Sequence, residues 1–173
     1  MAFRIGVQHT PGLASLGNRV RDALPALWPG RVRFVPLAQR PVPQAAYDTA
    51  QRHVDVRFLL DATRMPLPPG CDALLWLVGE NIGDCWRPWV LGAAVPGRAV
   101  VSTFRLSDPL DVLKNTAHEV GHLLGLPHCE GLCCMRPVRH ESQLVALPLA
   151  LCRTCQNRLS AMRGETLPGG GAA

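Results

Sequence analysis

The sequence lacks any long apolar run, has a single tyrosine and contains no cluster of basic residues. A membrane-spanning helix needs about 20 consecutive apolar residues, so we expect no such helix and no membrane partner. The 18 basic and 13 acidic residues leave a net charge of +5, carried by cations that are nearly all arginine and are spread along the chain. Scattered cations with few aromatic residues make a nucleic-acid partner a weak prediction, because such charges rarely combine into a binding surface.

The sequence also lacks a hydrophobic signal segment at its start, where residues 1–6 have the pattern of a β-strand. Its seven cysteines are an odd number, whereas a disulfide framework in a secreted chain normally has an even number. We therefore expect a cytoplasmic protein, in which reduced thiols remain available to bind zinc.

Strand and helix patterns alternate along the first 125 residues and give way to a shorter, more irregular stretch. With 173 residues, 47% of them hydrophobic, the chain is long enough to close one good core. We predict an α/β fold with one compact domain at 1–165, divided into an upper part at 1–125 and a lower part at 126–165, and a flexible tail at 166–173. The predicted elements are strands at 3–8, 31–37, 72–79, 90–95 and 100–105 and helices at 13–27, 45–62, 109–124 and 152–162.

Three histidines stand at spacings that can build a metal site. His118 and His122 lie about 40° apart around a helix axis and one turn apart along it, so both rings can reach one ion. A continuing helix would carry His128 about 240° away from them. Gly125 can end the helix in the left-handed conformation and Pro127 discourages its resumption, so the chain can double back and present His128. Zinc then has three protein ligands and an open position, which is the mark of a catalytic site.

Glu119 adds the carboxylate that peptide hydrolysis needs. It lies beside the expected metal, where it can act as general base on a zinc-bound water and then as general acid to the leaving amine. A bare H-E-x-x-H is a weak signal that can also be a charged helix face, whereas the added glycine and third histidine make the motif specific. The sequence thus predicts a zinc-dependent peptidase.

Four cysteines and a methionine follow the third histidine at defined spacings: Cys129, Cys133, Met135, Cys152 and Cys155. With the histidine motif, this pattern resembles the archaemetzincins, strongly over residues 90–155 and more loosely before them. In that family a four-cysteine site binds a second zinc ion, and a methionine just after the second cysteine forms a turn beneath the catalytic metal. The resemblance therefore implies two zinc ions per chain, one catalytic and one structural, and a Met-turn at Met135.

A neighbouring cysteine leaves one ligand of the second site open. The family usually places four residues between its first two cysteines, whereas three precede Cys133 here, and choosing Cys134 would restore that count. Cys134 would then stand directly against Met135 and disturb the spacing of the turn. We therefore favour Cys133 as the ligand and Cys134 as a spare thiol.

The resemblance also implies a metzincin-like fold, with a twisted mixed sheet, an antiparallel edge strand, an active-site helix and a small zinc-stapled C-terminal subdomain. An edge strand leaves unpaired backbone groups, to which an extended peptide can add as a further strand. We expect a peptide substrate to dock near Gly92, Ala93 and Ala94. The protein is expected to be a monomer that acts on short peptides, with aminopeptidase-like cleavage as the family suggests.

One catalytic part has no clear counterpart in the sequence, namely the donor that assists the oxyanion. The single tyrosine, Tyr47, stands far upstream, and the nearest candidates are Arg136, Arg139 and His140. A slow enzyme and a binder look alike in sequence, so a low-activity zinc-binding regulatory module remains an alternative. A nucleic-acid-associated protein that uses the four-cysteine site is a further one.

Overall fold

The computed structural model describes residues 2–162. Its β-strands are β1 (Phe3–His9), β2 (Val32–Pro36), β3 (Tyr47–Asp48), β4 (His53–Asp55), β5 (Ala73–Val78), β6 (Ile82–Gly83), β7 (Gly92–Val95) and β8 (Arg98–Ser102). Its α-helices are α1 (Ala14–Ala23), α2 (Val56–Leu60), α3 (Pro109–Leu123), α4 (Ser142–Val145) and α5 (Arg153–Met162). Short 3-10 helices stand at Leu24–Leu27 and Gln44–Ala46.

A five-stranded mixed sheet in the order β2-β1-β5-β8-β7 organises the fold. All neighbouring pairs in it are parallel except β7 with β8, which are antiparallel and place β7 at the edge. This confirms the predicted α/β class with an antiparallel edge strand. A smaller sheet, β3-β4-β6, lies beside it. Within residues 2–162, none of the helices combines the length and the apolar character that crossing a membrane requires.

The central strand β5 is buried on both faces, as its unbroken apolar run predicts. Leu75 and Leu77 belong to the larger core, together with residues of α1, α3 and the C-terminal segment. Leu74, Trp76 and Val78 face a second core that includes residues of α2 and the small sheet. Residues 45–62 contribute to this second core. The sequence predicts that they form one helix.

That helix prediction is wrong. Tyr47 pairs with Val54 across an antiparallel ladder, and Arg52 turns the chain between them with φ 59°. The Asp48 side chain accepts a hydrogen bond from the Gln51 amide and stabilises this turn. Asp55 then caps the five-residue α2 through the amide of residue 57. Turn-forming side chains have therefore overridden an apolar spacing that fits a helix, and the only α-helix in the stretch is the short α2.

Helix α3 begins and ends through local signals in its sequence. The Asp108 carboxylate accepts a hydrogen bond from the Leu110 amide at 2.8 Å, and Pro109 occupies the first turn. At the other end Gly125 has φ +89°, its amide bonds to the carbonyl of residue 122, and the Leu126 amide bonds to Gly121. These two bonds define a Schellman motif, which turns the chain sharply away from the helix axis.

The segment after α3 has little regular structure and packs on the larger core through scattered apolar side chains. The only lysine of the chain, Lys114, is buried on α3 and donates to the carbonyls of Leu144 and Val145 and to Asp111. This ammonium group docks the short helix α4 against α3. The tail predicted at 166–173 lies outside the described residues.

Candidate metal centre and substrate cleft

The three motif histidines meet at one point in front of α3. Their nearest ring nitrogens all lie within 4.8 Å of one another, and the Nε2 atoms of His118 and His122 are 3.0 Å apart. Two nitrogens on a tetrahedral zinc ion are separated by about 3.3 Å, since each Zn–N bond is about 2.0–2.1 Å long. His118 is buried, His122 is half-buried and His128 is exposed. The group is therefore open towards solvent on the His128 side.

The hydrogen bonds of these rings show which nitrogens are free. Nδ1 of His118 donates to the carbonyl of Cys134 and Nδ1 of His122 to that of Leu126, each at 2.8 Å, because a carbonyl can only accept. Burial lowers the pKa of His118 to about 4 and also lowers the pKa of His122, which favours the neutral form of both rings. Two unprotonated Nε2 atoms consequently face each other. A shared cation accounts for that arrangement, and this donor set suits zinc.

Glu119 lies between α3 and the edge strand. It is 4% exposed, and burial raises the pKa of its carboxyl group to about 8. A Cβ atom on Gly92 would lie 2.6 Å from Glu119 Oε1, so the carboxyl group occupies space that only glycine leaves free. A cation in the histidine group would favour the ionised carboxylate. Glu119 is thus held where the cleft, the histidines and β7 meet.

A second group joins four cysteines on the other side of the same loop. The sulfur atoms of Cys129, Cys133, Cys152 and Cys155 lie within 4.8 Å of one another. Two of the separations are 3.7 Å and 3.8 Å, far beyond the roughly 2.05 Å of a disulfide. Four sulfurs around one zinc ion stand about 3.8 Å apart, given Zn–S bonds of about 2.3 Å. The group therefore has the dimensions of a tetrahedral four-thiolate site.

Cys134, which the sequence offered as an alternative ligand to Cys133, lies outside this group. It is 2% exposed, burial raises the pKa of its thiol to about 12, and its amide donates to the carbonyl of Ala150. Its own carbonyl is the acceptor for His118. Cys134 thus links the two groups through its backbone.

Met135 is completely buried between the cysteine loop and α3. Its amide donates to the sulfur of Cys133, and its carbonyl accepts from the amide of Cys129. Its thioether lies against Gly121, where a Cβ atom would overlap the sulfur. The methionine therefore packs against the helix that carries the motif, at Gly121, which has no side chain.

A cleft of about 1070 Å³ runs past the histidines, with β7 along one wall. Glu119, the three histidines and Arg139 all line it, whereas Arg136 and His140 do not. The sequence reasoning missed one residue that shapes the cleft: Asn115 of α3 is buried and donates to the carbonyl of Leu91 at 2.9 Å. This bond fixes the start of the edge strand relative to the motif helix. The signal available in the sequence was the amide side chain of Asn115, which stands about one helical turn before the first motif histidine.

Comparison with known proteins defines the class. Residues 110–161 match the model of Peptidase family M54. The archaemetzincin of Archaeoglobus fulgidus is 31% identical over 146 residues, which cover 80% of this chain and 87% of the relative. The crystal structure of that protein in complex with malonate has a TM-score of 0.80 at 27% identity and covers 90% of this chain and 99% of its own. The archaemetzincin structure from Methanopyrus kandleri has a TM-score of 0.83 at 25% identity and covers 95% and 97%.

The fold and the site thus define a zinc metallopeptidase of the M54 type. More particularly, the chain belongs to the archaemetzincin family. The two groups of histidines and cysteines are its candidate metal sites.

Proposed function

We propose that this protein hydrolyses short peptides at the histidine group, with Glu119 as the general base and acid. The observation that carries the proposal is the convergence of three histidine rings, two of them oriented by hydrogen bonds from Nδ1 to carbonyls, beside a buried carboxyl group next to the edge strand. A zinc ion held there by His118, His122 and His128 supplies Lewis-acid chemistry, which polarises a carbonyl and lowers the pKa of water to about 7.

The chain's own residues supply positioning and proton transfer. Along residues 92–94 of the edge strand, the backbone groups of Gly92 and Ala94 face away from β8, and an extended peptide can align on them. Glu119 accepts a proton from the attacking water at a carboxylate oxygen and returns it to the nitrogen of the leaving amine. Its place against Gly92 puts that oxygen beside the docked backbone. Release of a short amino-terminal fragment, as an aminopeptidase would give, is part of the proposal.

The second part of the proposal is a structural zinc ion in the group of Cys129, Cys133, Cys152 and Cys155, giving two zinc ions per chain. The sulfur separations support it, as does the burial of three of the four cysteines, with Cys152 half-buried. Burial raises the pKa of Cys133 and Cys155, so the thiolates of these two residues need a cation to be stable there. A monomer in the reducing cytoplasm is the setting that we expect for such thiols.

Zinc content tests the two-site proposal. The wild type and His122→Ala are purified without added metal and analysed for zinc per chain, with His140→Ala as the matched histidine outside the group. We expect two zinc ions in the wild type and in His140→Ala and one in His122→Ala. A single zinc ion that is unchanged in His122→Ala would contradict the proposed catalytic site.

Activity then tests the reaction. Peptide fragments from a short-peptide library are identified by mass spectrometry, with Glu119→Gln as the blank. We expect the substitution to keep both zinc ions and to slow cleavage by about 10²–10⁴-fold, the usual contribution of a general base. Equal rates for the two proteins would remove Glu119 from the mechanism. A zinc-loaded wild type that cleaves none of the peptides would favour the regulatory alternative.

A further inference from the structure

The two ends of the cleft differ in charge. Gly92 stands at the middle, beside Glu119. On one side the cleft is lined by residues 93–97, which belong to β7 and to the turn that follows it and are all uncharged. On the other side it is lined by 86–89 and, across the gap, by 137–139, which include two arginines. We call these the apolar end and the arginine end.

Arg139 has a guanidinium group that is free to bind a ligand. Its backbone amide donates to Gln143, but within residues 2–162 its exposed side chain makes no hydrogen bond or ion pair. The next residue, His140, stacks on Trp89 with ring centroids 5.9 Å apart. Trp89 is also covered by the guanidinium of Arg105 at 4.5 Å. Arg139 therefore lies in the backbone next to a contact between His140 and Trp89, and the ring of that tryptophan is packed from two sides.

Arg87 adds a second guanidinium on the opposite wall. Its Nε and Nη2 donate to Asp84, which is 5% exposed, while the arginine side chain is 62% exposed. Asp84 thereby orients the guanidinium and leaves Nη1 free. Among the described residues that line the cleft, the only carboxylate is the buried Glu119. The arginine end thus has the guanidinium of Arg139 and the Nη1 of Arg87, whose other donors are paired with Asp84.

The strand topology predicts which part of a peptide reaches that end. β7 runs from Gly92 to Val95 and is antiparallel to β8. Antiparallel pairing is the more stable and the more frequent kind, so a docked peptide is expected to run against β7. Its residues before the cleaved bond then lie along 93–95, and its residues after that bond extend towards Trp89.

From this we infer that the enzyme selects peptides with a carboxylate on the carboxyl side of the cleaved bond, bound by Arg139 and Arg87 at the arginine end. The inference rests on the proposed peptidase function. The carboxylate has two possible sources, namely the α-carboxylate of a short peptide and the side chain of an aspartate or glutamate. Guanidinium groups bind both through charge-assisted hydrogen bonds.

Four matched peptides separate these sources. All four share one sequence that the wild type cleaves. The first pair carries a neutral residue after the cleaved bond and has either a free or an amidated carboxyl terminus. The second pair has an amidated terminus and carries either a glutamate or a glutamine after the cleaved bond. We expect kcat/KM to be about fivefold higher for either acidic peptide than for its neutral partner at low salt, as for an exposed charge pair, and to converge at high salt. The preferred acidic peptide identifies the source.

Variants assign the preference to the arginine end. Arg139→Gln is expected to bring kcat/KM for the acidic peptides within about twofold of kcat/KM for the neutral ones. Arg33→Gln is the matched control, because Arg33 is exposed on β2 at the opposite edge of the sheet. Equal rates for acidic and neutral peptides with the wild type would overturn the inference and leave the peptidase function standing. A preference for acidic residues before the cleaved bond would overturn it as well, since the peptide would then run the other way.

Binding to zinc-loaded Glu119→Gln, measured by calorimetry, separates the inference from the function. If the wild type cleaves nothing, the four endings are built on one short library sequence. Binding of the acidic peptides about fivefold more tightly than the neutral ones would then support carboxylate recognition at the arginine end, while the proposed reaction fails. Equal binding of all four peptides, or no binding of any, would overturn the inference.

Discussion

The histidine group and the cysteine group are built by the same stretch of chain, and His128 and Cys129 are consecutive residues, yet the two groups differ in access. The histidines face the cleft, and His128 is exposed. The cysteine group is closed by its own loop, with Cys133 and Cys155 fully buried. An open group leaves room for a substrate, whereas a closed one can only hold the chain together.

Residues of the cysteine loop hold the histidines in position. The carbonyl of Cys134 sets the ring of His118, and Cys129 holds the end of the loop that presents His128. Met135 fills the space between this loop and α3. We therefore expect damage to the cysteine group to spread to the histidine group, and damage to the histidine group to stay local.

The largest expected effect follows from Cys155→Ser. The substitution removes one thiolate from the closed group, and we expect the second zinc ion to be lost, the first to be weakened and unfolding to become easier by about 5 kcal/mol. For a chain of this size that is a fall in Tm of about 10–20 °C. Calorimetry and zinc analysis measure both effects, with the exposed Cys85→Ser as control. Full zinc content at the histidines would show that the groups are independent.

The next effect in size is expected from Gly121→Ala. The added methyl group would overlap the thioether of Met135, which is fully buried and has little space to move into. We expect a loss of about 2 kcal/mol, or about 4–8 °C in Tm, with a weaker first zinc ion. The double variant with Met135→Ala tests the cause. If the two losses simply add, the contact with Met135 is not the reason.

Most of the metal site could be predicted from the sequence, because its signals are local. The spacing of His118 and His122 and the stop at Gly125 act within one helix and its cap. The carbonyls of Cys134 and Leu126 that orient the rings could not be found, since backbone acceptors carry no signature in the side-chain pattern. Asn115 itself stands one turn before the motif, where an amide is a visible signal, but its partner lies 24 residues away and has no such signal.

The fold was predicted well where hydrophobic pattern and end signals agree, and poorly where they conflict. In strand β5 and helix α3 the hydrophobic pattern and the signals at the ends indicate the same element. Residues 45–62 have helical apolar spacing, but Asp48 and Arg52 form a turn that splits it. The short strand β6 and the short helix α4 were also missed, because two to four residues are too few to show a period.

A third, smaller effect isolates the open group. Gly92→Ala places a methyl group against the carboxyl group of Glu119 and should displace it. We expect kcat to fall by about tenfold, since a shift of about 1 Å in a catalytic group is costly, with zinc content and Tm nearly unchanged. Ala93→Ser on the same strand is the control. A loss of zinc in Gly92→Ala would mean that the edge strand supports the metal site as well as the carboxylate.

The smallest effect is expected at the far end of α3, outside both groups. Asp108→Ala removes the side chain that accepts from the Leu110 amide, which should cost about 1 kcal/mol or 2–4 °C in Tm. Because His118 and His122 lie in the last two turns of the helix and the carbonyls that orient them come from the following loop, we expect both zinc ions and kcat to be retained. Asp108→Asn keeps a capping oxygen and should restore the Tm. If kcat falls in Asp108→Ala and is restored in Asp108→Asn, the start of the helix helps to position the histidines. The cysteine loop would then be only one of the parts that support them.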